Sequence, residues 1–275
     1  MQAEELLRAG QLQEALVALE GQVRSDPADA KLRVFLFQLL AVMGDWERAL
    51  SQLNVAAELD ALNLLMAQVC RAALNCEALR AEVFAGKRSP LIFGEPEEWV
   101  GWLVQANQMI AEGKYQGAQK LRDRAFEAAP AIAGSIDNHK FEWIADADSR
   151  LGPVLEAIID GKYYWIPFTA IKGIRIEPPT DLRDTVWCPA QFTWANSGEA
   201  AGFIPTRYPG SESREDSGIQ LARKTEWMEQ PGDTYLGLGQ RVFATDIDEF
   251  PLMQVRQVDL DNLEPDQQSG EISNG

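Results

Sequence analysis

Three copies of one short pattern constrain the fold of this chain more than any other feature of its sequence. The pattern is a glycine, any residue, a large apolar residue, two further residues and an alanine. It occurs as GQLQEA, GDWERA and GKYQGA at residues 10–15, 44–49 and 113–118. The first two copies begin 34 residues apart, and the third begins 69 residues after the second. Pro27 and Pro130 each follow the glycine of their copy by 17 residues.

A period of 34 residues with this pattern is typical of tetratricopeptide-like repeats, in which every repeat is a pair of helices. The glycine allows the left-handed backbone that ends a first helix. The small alanine lets two helices approach closely, and the proline ends the second helix. Apolar residues between Asp29 and Met43 follow the helical i, i+3, i+4, i+7 spacing. The middle repeat is degenerate, because residues 61–85 read as continuous helix with little turn chemistry.

After Gly134 the sequence becomes β-rich, so we predict an α+β fold with two domains. A tetratricopeptide-like helical repeat domain spans residues 1–131, and a compact β-rich α+β domain spans 132–258. A short helix is expected over residues 153–160, where Gly161 would end it, and FEWIADADSRL (141–151) reads as helix or loop. The polar residues 259–275 are expected to form a disordered acidic tail. Strands are predicted at 163–168, 171–176, 185–194, 202–204, 235–245 and 252–258.

The composition disfavours nucleic acid and anionic membranes as partners. The formal net charge is −17, and no Lys/Arg-rich run provides the cations that phosphate backbones require. No apolar run approaches the roughly 18 residues that a membrane helix needs. The N-terminus lacks the positive and apolar regions of a secretory signal, so we expect a cytoplasmic protein.

The residue inventory predicts neither an enzyme nor a bound cofactor. Histidine occurs once, at His139, the three cysteines lack metal-ligand spacing, and no glycine-rich phosphate loop is present. The alternative is an enzyme or small-molecule-binding module built around Asp146, Asp148 and Arg150 with the tryptophan-rich strands. Paired carboxylates can bind a divalent ion or transfer protons. Local capping and ion pairing explain the same residues without any catalysis.

A helical repeat array leaves one groove open, and such grooves usually bind peptides or helices. In the second repeat the positions that can face the groove are Lys31, Phe35 and Gln38, and in the last repeat the equivalent is Asn107. These four residues are candidate partner contacts. An array this short can instead serve only to stabilise the rest of the chain.

Long strings in the second half carry a resemblance to a known family. The chain resembles the ImpE/TagJ/SciE family over about residues 1–258, and the residues after 259 fall outside the pattern. The strings, in chain order, are FGEPEEW (93–99), FEWIADADSRLGPVLEAI (141–158), KYYWIPF (162–168), IRIEPPTDLRDTVW (174–187), IPTRYPGSE (204–212), ARKTEW (222–227) and GLGQRVFATD (237–246).

The resemblance implies a cytoplasmic accessory protein of the type VI secretion system, a contractile bacterial injection machine. It implies association with the small subunit of the contractile sheath and with the ClpV-type unfoldase that recycles contracted sheath. Within the matching strings, Arg207 and Tyr208 are expected at the surface and are candidate partner contacts. The favoured hypothesis is therefore a non-enzymatic adaptor. A structural scaffold for the baseplate or the sheath is a further possibility.

Overall fold

The first half of the chain folds into paired helices. The computed structural model describes residues 2–95 and 97–261. Helix α1 packs on α2, α3 on α4, and α6 on α7, while α5 packs on α4 and α6 without a second helix of its own. The helices of this half are α1 (Gln2–Arg8), α2 (Leu12–Ser25), α3 (Ala30–Val42), α4 (Trp46–Leu59), α5 (Leu64–Phe84), α6 (Glu98–Ala111) and α7 (Tyr115–Ala128).

The repeat glycines end helices as the sequence predicts. Gly10, Gly44 and Gly113 follow α1, α3 and α6 with φ angles of 78°, 75° and 73°, where a side chain would strain the backbone. The side chains of Asp29 and Asp45 accept backbone N–H groups at the starts of α3 and α4. The tetratricopeptide-like character of the first half is confirmed.

The second half is built on a nine-stranded mixed sheet in the order β1-β6-β5-β9-β8-β7-β14-β2-β3. A three-stranded sheet (β13-β12-β4) and the hairpin β10-β11 complete it, with a four-residue helix α8 (Ser217–Gln220). The strands are β1 (Leu91–Ile92), β2 (Gly134–Ile136), β3 (His139–Phe141), β4 (Ile144–Asp146), β5 (Val154–Ile159), β6 (Lys162–Pro167), β7 (Ile171–Ile176), β8 (Trp187–Trp194), β9 (Glu199–Pro205), β10 (Thr225–Gln230), β11 (Thr234–Gly239), β12 (Val242–Thr245), β13 (Glu249–Pro251) and β14 (Gln257–Leu260).

The large sheet buries both of its faces along its central strands. Side chains alternate between the faces, so Tyr163 and Trp165 of β6 pack into a core shared with the helices. Ile166 of the same strand points to the other face, into a core that includes Phe243 of the small sheet. The α+β fold with a helical repeat half and a β-rich half is therefore confirmed.

Two local predictions were wrong. Within residues 153–160, Val154–Ile159 form strand β5 instead of a short helix; the prediction failed because VLEAII is buried on both sides and shows no alternation that would mark a strand. Within FEWIADADSRL, the residues Ile144–Asp146 form strand β4, which pairs with β12. The partner strand lies about 100 residues further along the chain, so no local signal marks this pairing.

The boundary at residue 131 stays a proposal. It falls between the end of α7 at Ala128 and the start of β2 at Gly134, but β1, which lies between α5 and α6, pairs with β6 of the large sheet. The expected disordered tail was set too early, because Asp259 and Leu260 belong to β14. The rest of that prediction, residues 262–275, lies outside the described residues.

Candidate functional site

Part of the predicted helical groove is already covered by the chain itself. The segment between β7 and β8 lies against α3, where the Gln38 amide donates to the Asp181 carboxylate at 3.4 Å. Gln38 is buried by this contact. Gln38 and Asp181 nevertheless both line the open part of the groove, so Gln38 as a partner contact stays a prediction.

Arg207 closes the C-terminal end of α3 instead of lying at the surface. Its guanidinium donates to the carbonyl oxygens of Val42 at 2.7 Å and Gln220 at 2.5 Å. Carbonyl groups at the end of a helix lack partners within the helix, so a cation there stabilises it. Burial lowers the pKa of Arg207 to about 10. The expectation that this residue is exposed was wrong.

Tyr208 and Asn107 are also buried. The Tyr208 hydroxyl donates to the Asp146 carboxylate at 3.1 Å, and its ring lies on Gly237, where a Cβ atom would come within 2.2 Å of it. The Asn107 amide donates to the Val83 carbonyl at 2.8 Å. Both residues were predicted as partner contacts, yet the Tyr208 hydroxyl and the Asn107 amide N–H group bond to other parts of the same chain.

Lys31 and Phe35 do line an open groove, which we call the α1–α3 groove. It has a cavity volume of about 730 Å³ between α1, α2, α3 and residues 180–182. Leu7, Leu32 and Phe35 contribute apolar surface, and Arg8 and Lys31 lie at its exposed rim. Neither cation pairs with a carboxylate among the described residues.

The predicted acidic cluster does not form an accessible catalytic site. Arg150 binds both oxygens of Asp148 in a fork, at 2.8 and 2.5 Å, and the backbone N–H of Gly237 donates to the same carboxylate at 2.7 Å. Asp146 accepts from Arg241. All these side chains are buried. Their lone pairs are used by internal donors, so the arrangement favours a structural role over proton transfer.

Asp146 is one member of a larger buried network that joins the two halves. We call it the charged seam and define it as Glu77, Arg80, Asp146, Glu156 and Arg241. Arg80 of α5 forms a fork with Glu156 of β5 at 2.6 and 3.0 Å. Arg241 bonds both Glu156 and Asp146, and Glu77 accepts the indole N–H of Trp187 at 2.8 Å.

The surroundings of the seam shift its two central carboxyl groups in opposite directions. Burial raises the pKa of Asp146 to about 6, although the Arg241 guanidinium favours its ionised form. Burial also disfavours the ionised form of Glu156, but Arg80 and Arg241 outweigh it and lower the pKa of Glu156 to about 2. Glu156 is therefore the anion that the arginines of both halves hold.

Apart from Asp146, the seam residues were missed at the sequence level, although a signal existed. Glu156 interrupts the apolar run VLEAII, and a charge inside such a run requires a buried partner. The partner itself could not be read, because Arg80 lies 76 residues away.

The remaining polar candidates give no evidence of a metal or nucleophile site. His139 is exposed and lies beside the carbonyl of Ile136. Over residues 2–95 and 97–261, no group of His, Cys, Asp and Glu has the geometry to hold a metal ion. Burial raises the pKa of the Cys76 and Cys188 thiols to about 11 and about 12. In the same residues no helix is long and apolar enough to cross a membrane.

Comparisons with known proteins agree with the division into a repeat half and a β-rich half. A family model described as ImpE protein matches residues 138–259, and one described as tetratricopeptide repeat matches residues 6–71. The chain is 51% identical over 261 residues to the type VI secretion system accessory component TagJ of Pseudomonas aeruginosa. The match covers 95% of this chain and 92% of that protein.

A crystal structure of a Vibrio parahaemolyticus protein has the same overall fold. The two chains are 28% identical and superpose with a TM-score of 0.86. The match covers 94% of this chain and 97% of the other.

Proposed function

The chain belongs to the ImpE family, and from that premise we propose that it is a non-enzymatic adaptor of a bacterial type VI secretion system. Its partner would be the small subunit of the contractile sheath, which it would link to the ClpV-type unfoldase. Support comes from the relative in Pseudomonas aeruginosa, which is an accessory component of this system. Tetratricopeptide-like repeats favour protein partners in general.

The observation that carries the proposal is the α1–α3 groove. It is the part of the repeat face that the β-rich half leaves open, and its cavity of about 730 Å³ suits side chains of a docked segment. Leu32 and Phe35 supply apolar contact, and Lys31 supplies a cation that forms no direct ion pair with a carboxylate among the described residues. The Gln22 side-chain oxygen at the groove is buried without a hydrogen-bond partner among the described residues.

The charged seam argues against the alternative of an enzyme in the β-rich half. A general acid or base must reach a substrate, whereas Asp146 and Asp148 are buried and held by arginines. Folding instead changes the pKa of Asp146, because the side chain becomes buried.

A pull-down from an extract of secretion-competent cells tests the proposal. The intact chain is expected to enrich the small sheath subunit, identified by mass spectrometry. Lys31→Glu should lower the recovery several-fold, because it reverses a charge at the groove rim. Lys120→Glu is the matched control, since Lys120 is an exposed lysine on α7 away from the groove.

Recovery of the sheath subunit with the intact chain and with Lys120→Glu, but not with Lys31→Glu, would support the proposal. Equal recovery with both variants would remove the α1–α3 groove from the account. No sheath subunit with the intact chain would reject the proposed partner.

A further inference from the structure

The two most exposed large apolar side chains of the described residues are Leu62 and Leu65, and Leu59, Leu64 and Val69 lie near them in the chain at the junction of α4 and α5. Leu62 is 88% exposed, Leu65 74%, Leu64 57%, Val69 43% and Leu59 42%. Scattered apolar residues on a surface need no explanation, but a contiguous group of this size marks a protein contact. The group lies away from the α1–α3 groove, so the proposed function does not account for it.

An open cleft continues directly from these residues. Its volume is about 660 Å³. Val69 and Ala72 of α5 form one wall, and Pro189, Ala201 and Phe203 of the large sheet lie on the opposite side. A protruding apolar segment and an apolar recess are therefore neighbours on one surface.

The spacing along α5 points to the occupant. Leu62, Leu65, Val69 and Ala72, which we call the α5 strip, are separated by three, four and three residues and so share one helical face. This spacing reads the same in both directions. An antiparallel copy would place Leu62 opposite Ala72 and Leu65 opposite Val69, large side chains against smaller ones. We propose that a second copy of this chain docks here, giving a two-fold symmetric dimer with its axis near Ala67.

The cleft suits this arrangement. Leu62 protrudes from the short helical turn Ala61–Asn63 before α5. In the antiparallel dimer it enters the partner's cleft beside Ala72, and each copy gives and receives the same contact. A two-fold interface requires such self-complementarity, because every contact between two residues occurs twice.

The surface available is large enough for a stable dimer. Burying the α5 strip together with the neighbouring Leu59 and Leu64 in both copies removes on the order of 1,000 Å² from water, before the cleft lining is counted. Stable interfaces begin at roughly 1,200 Å². The strip and the cleft together reach that size, whereas the strip alone would form only a weak contact.

Analytical ultracentrifugation of the full chain tests the dimer. The unmodified chain should sediment as a dimer and dissociate on dilution, and Leu65→Glu should sediment as a monomer at the same concentrations. Val17→Glu is the matched control, because Val17 is a 58% exposed valine on α2 and should leave the dimer intact. Circular dichroism establishes that each variant is folded.

A cross-link tests the position of the axis. Gln68 is exposed and lies next to Ala67, so Gln68→Cys should join two copies through a short bismaleimide, and Val17→Cys should not. A monomer for the unmodified chain at every concentration would overturn the proposal. A dimer or larger assembly that persists in Leu65→Glu, or that Gln68→Cys fails to cross-link, would overturn it as well.

The proposed dimer and the proposed function can be rejected independently of each other. Leu65→Glu leaves the α1–α3 groove untouched, so the monomeric variant should still recover the sheath subunit. Lys31→Glu should in turn remain dimeric.

Discussion

The charged seam and the α5 strip reverse the usual placement of polar and apolar side chains. The seam buries Arg80, Glu156 and Arg241 between the two halves of the molecule. The strip exposes Leu62 and Leu65 on the outside. Both involve the same 21-residue helix, since Arg80 lies near the end of α5 and Leu65 near its start.

The difference teaches what each region does for the protein. Buried ion pairs add little net stability over an apolar core, but breaking one is costly because an unpaired charge remains. The seam therefore fixes how the halves meet. The exposed strip adds no stability to the isolated chain. The hydrophobic free energy of its side chains is gained only when another surface covers them.

The largest expected effect comes from breaking the seam at its centre. Glu156→Gln keeps the shape of the side chain but leaves Arg80 and Arg241 without their shared anion. We expect a loss of about 3–5 kcal/mol in the free energy of unfolding, measured by urea denaturation. Glu199→Gln on β9 is the control, because Glu199 is exposed, and it should change stability by less than about 0.5 kcal/mol. Equal stability of the two variants would mean that the seam does not hold the halves together.

The pH dependence of stability should also depend on the ionised Glu156 carboxylate. The pKa of Glu156 falls from 4.5 to about 2 on folding, so its contribution is complete above pH 4.5 and is lost as the pH drops towards 2. The size of this contribution is about 3 kcal/mol. Asp146 acts in the opposite sense. Its pKa rises from 3.8 to about 6, so its burial costs stability above pH 6, and protonation relieves that cost as the pH falls towards 4.

The contribution of these two groups to stability should therefore be highest near pH 4. Urea denaturation of the intact chain between pH 7 and pH 2.5 measures this profile. Glu156→Gln should flatten its acidic limb, whereas Glu199→Gln should reproduce the profile of the intact chain. A profile with the same acidic limb in both variants would assign the acid sensitivity to other groups.

Removing the arginine that closes α3 should have a smaller effect. Arg207→Met keeps the apolar stem but leaves the carbonyl groups of Val42 and Gln220 without their donor. We expect a loss of about 2 kcal/mol, measured as a lower urea midpoint. Arg88→Met, at an exposed position after α5, should be neutral. A neutral Arg207→Met would show that water replaces the guanidinium at this helix end.

The smallest effect on stability is expected at the strip. Leu65→Glu changes a 74% exposed side chain, so the free energy of unfolding of the monomer should change by less than about 0.5 kcal/mol. Urea denaturation at a concentration where the chain is monomeric measures this. A large loss would place Leu65 in the folded core and remove the contrast with the seam.

Much of the helical half could be predicted because its signals are local. Gly10, Gly44 and Gly113 mark helix ends within a few residues, and the φ angles confirm them. Strand β7 was predicted with its observed limits, Ile171–Ile176, because a β-rich run there ends just before Pro178 and Pro179. Strand β5 was missed because burial on both faces removes the alternation on which strand prediction depends.

The candidate site was predictable only in part, for a related reason. Lys31 and Phe35 line an open groove because their repeat presents them there, as the period implies. Gln38 has the same local pattern but is covered by Asp181, which lies 143 residues further along the chain. Arg207 lies in a polar, proline-flanked string typical of a surface loop, and only the docking of the two halves buries it.

Isothermal titration of the full chain with the purified small sheath subunit tests the adaptor most directly. We predict saturable binding with one sheath segment per chain. Lys31→Glu should weaken the affinity at least tenfold, which is about 1.4 kcal/mol, while Lys120→Glu leaves it unchanged. Absence of binding by the intact chain, or equal affinity of both variants, would contradict the account.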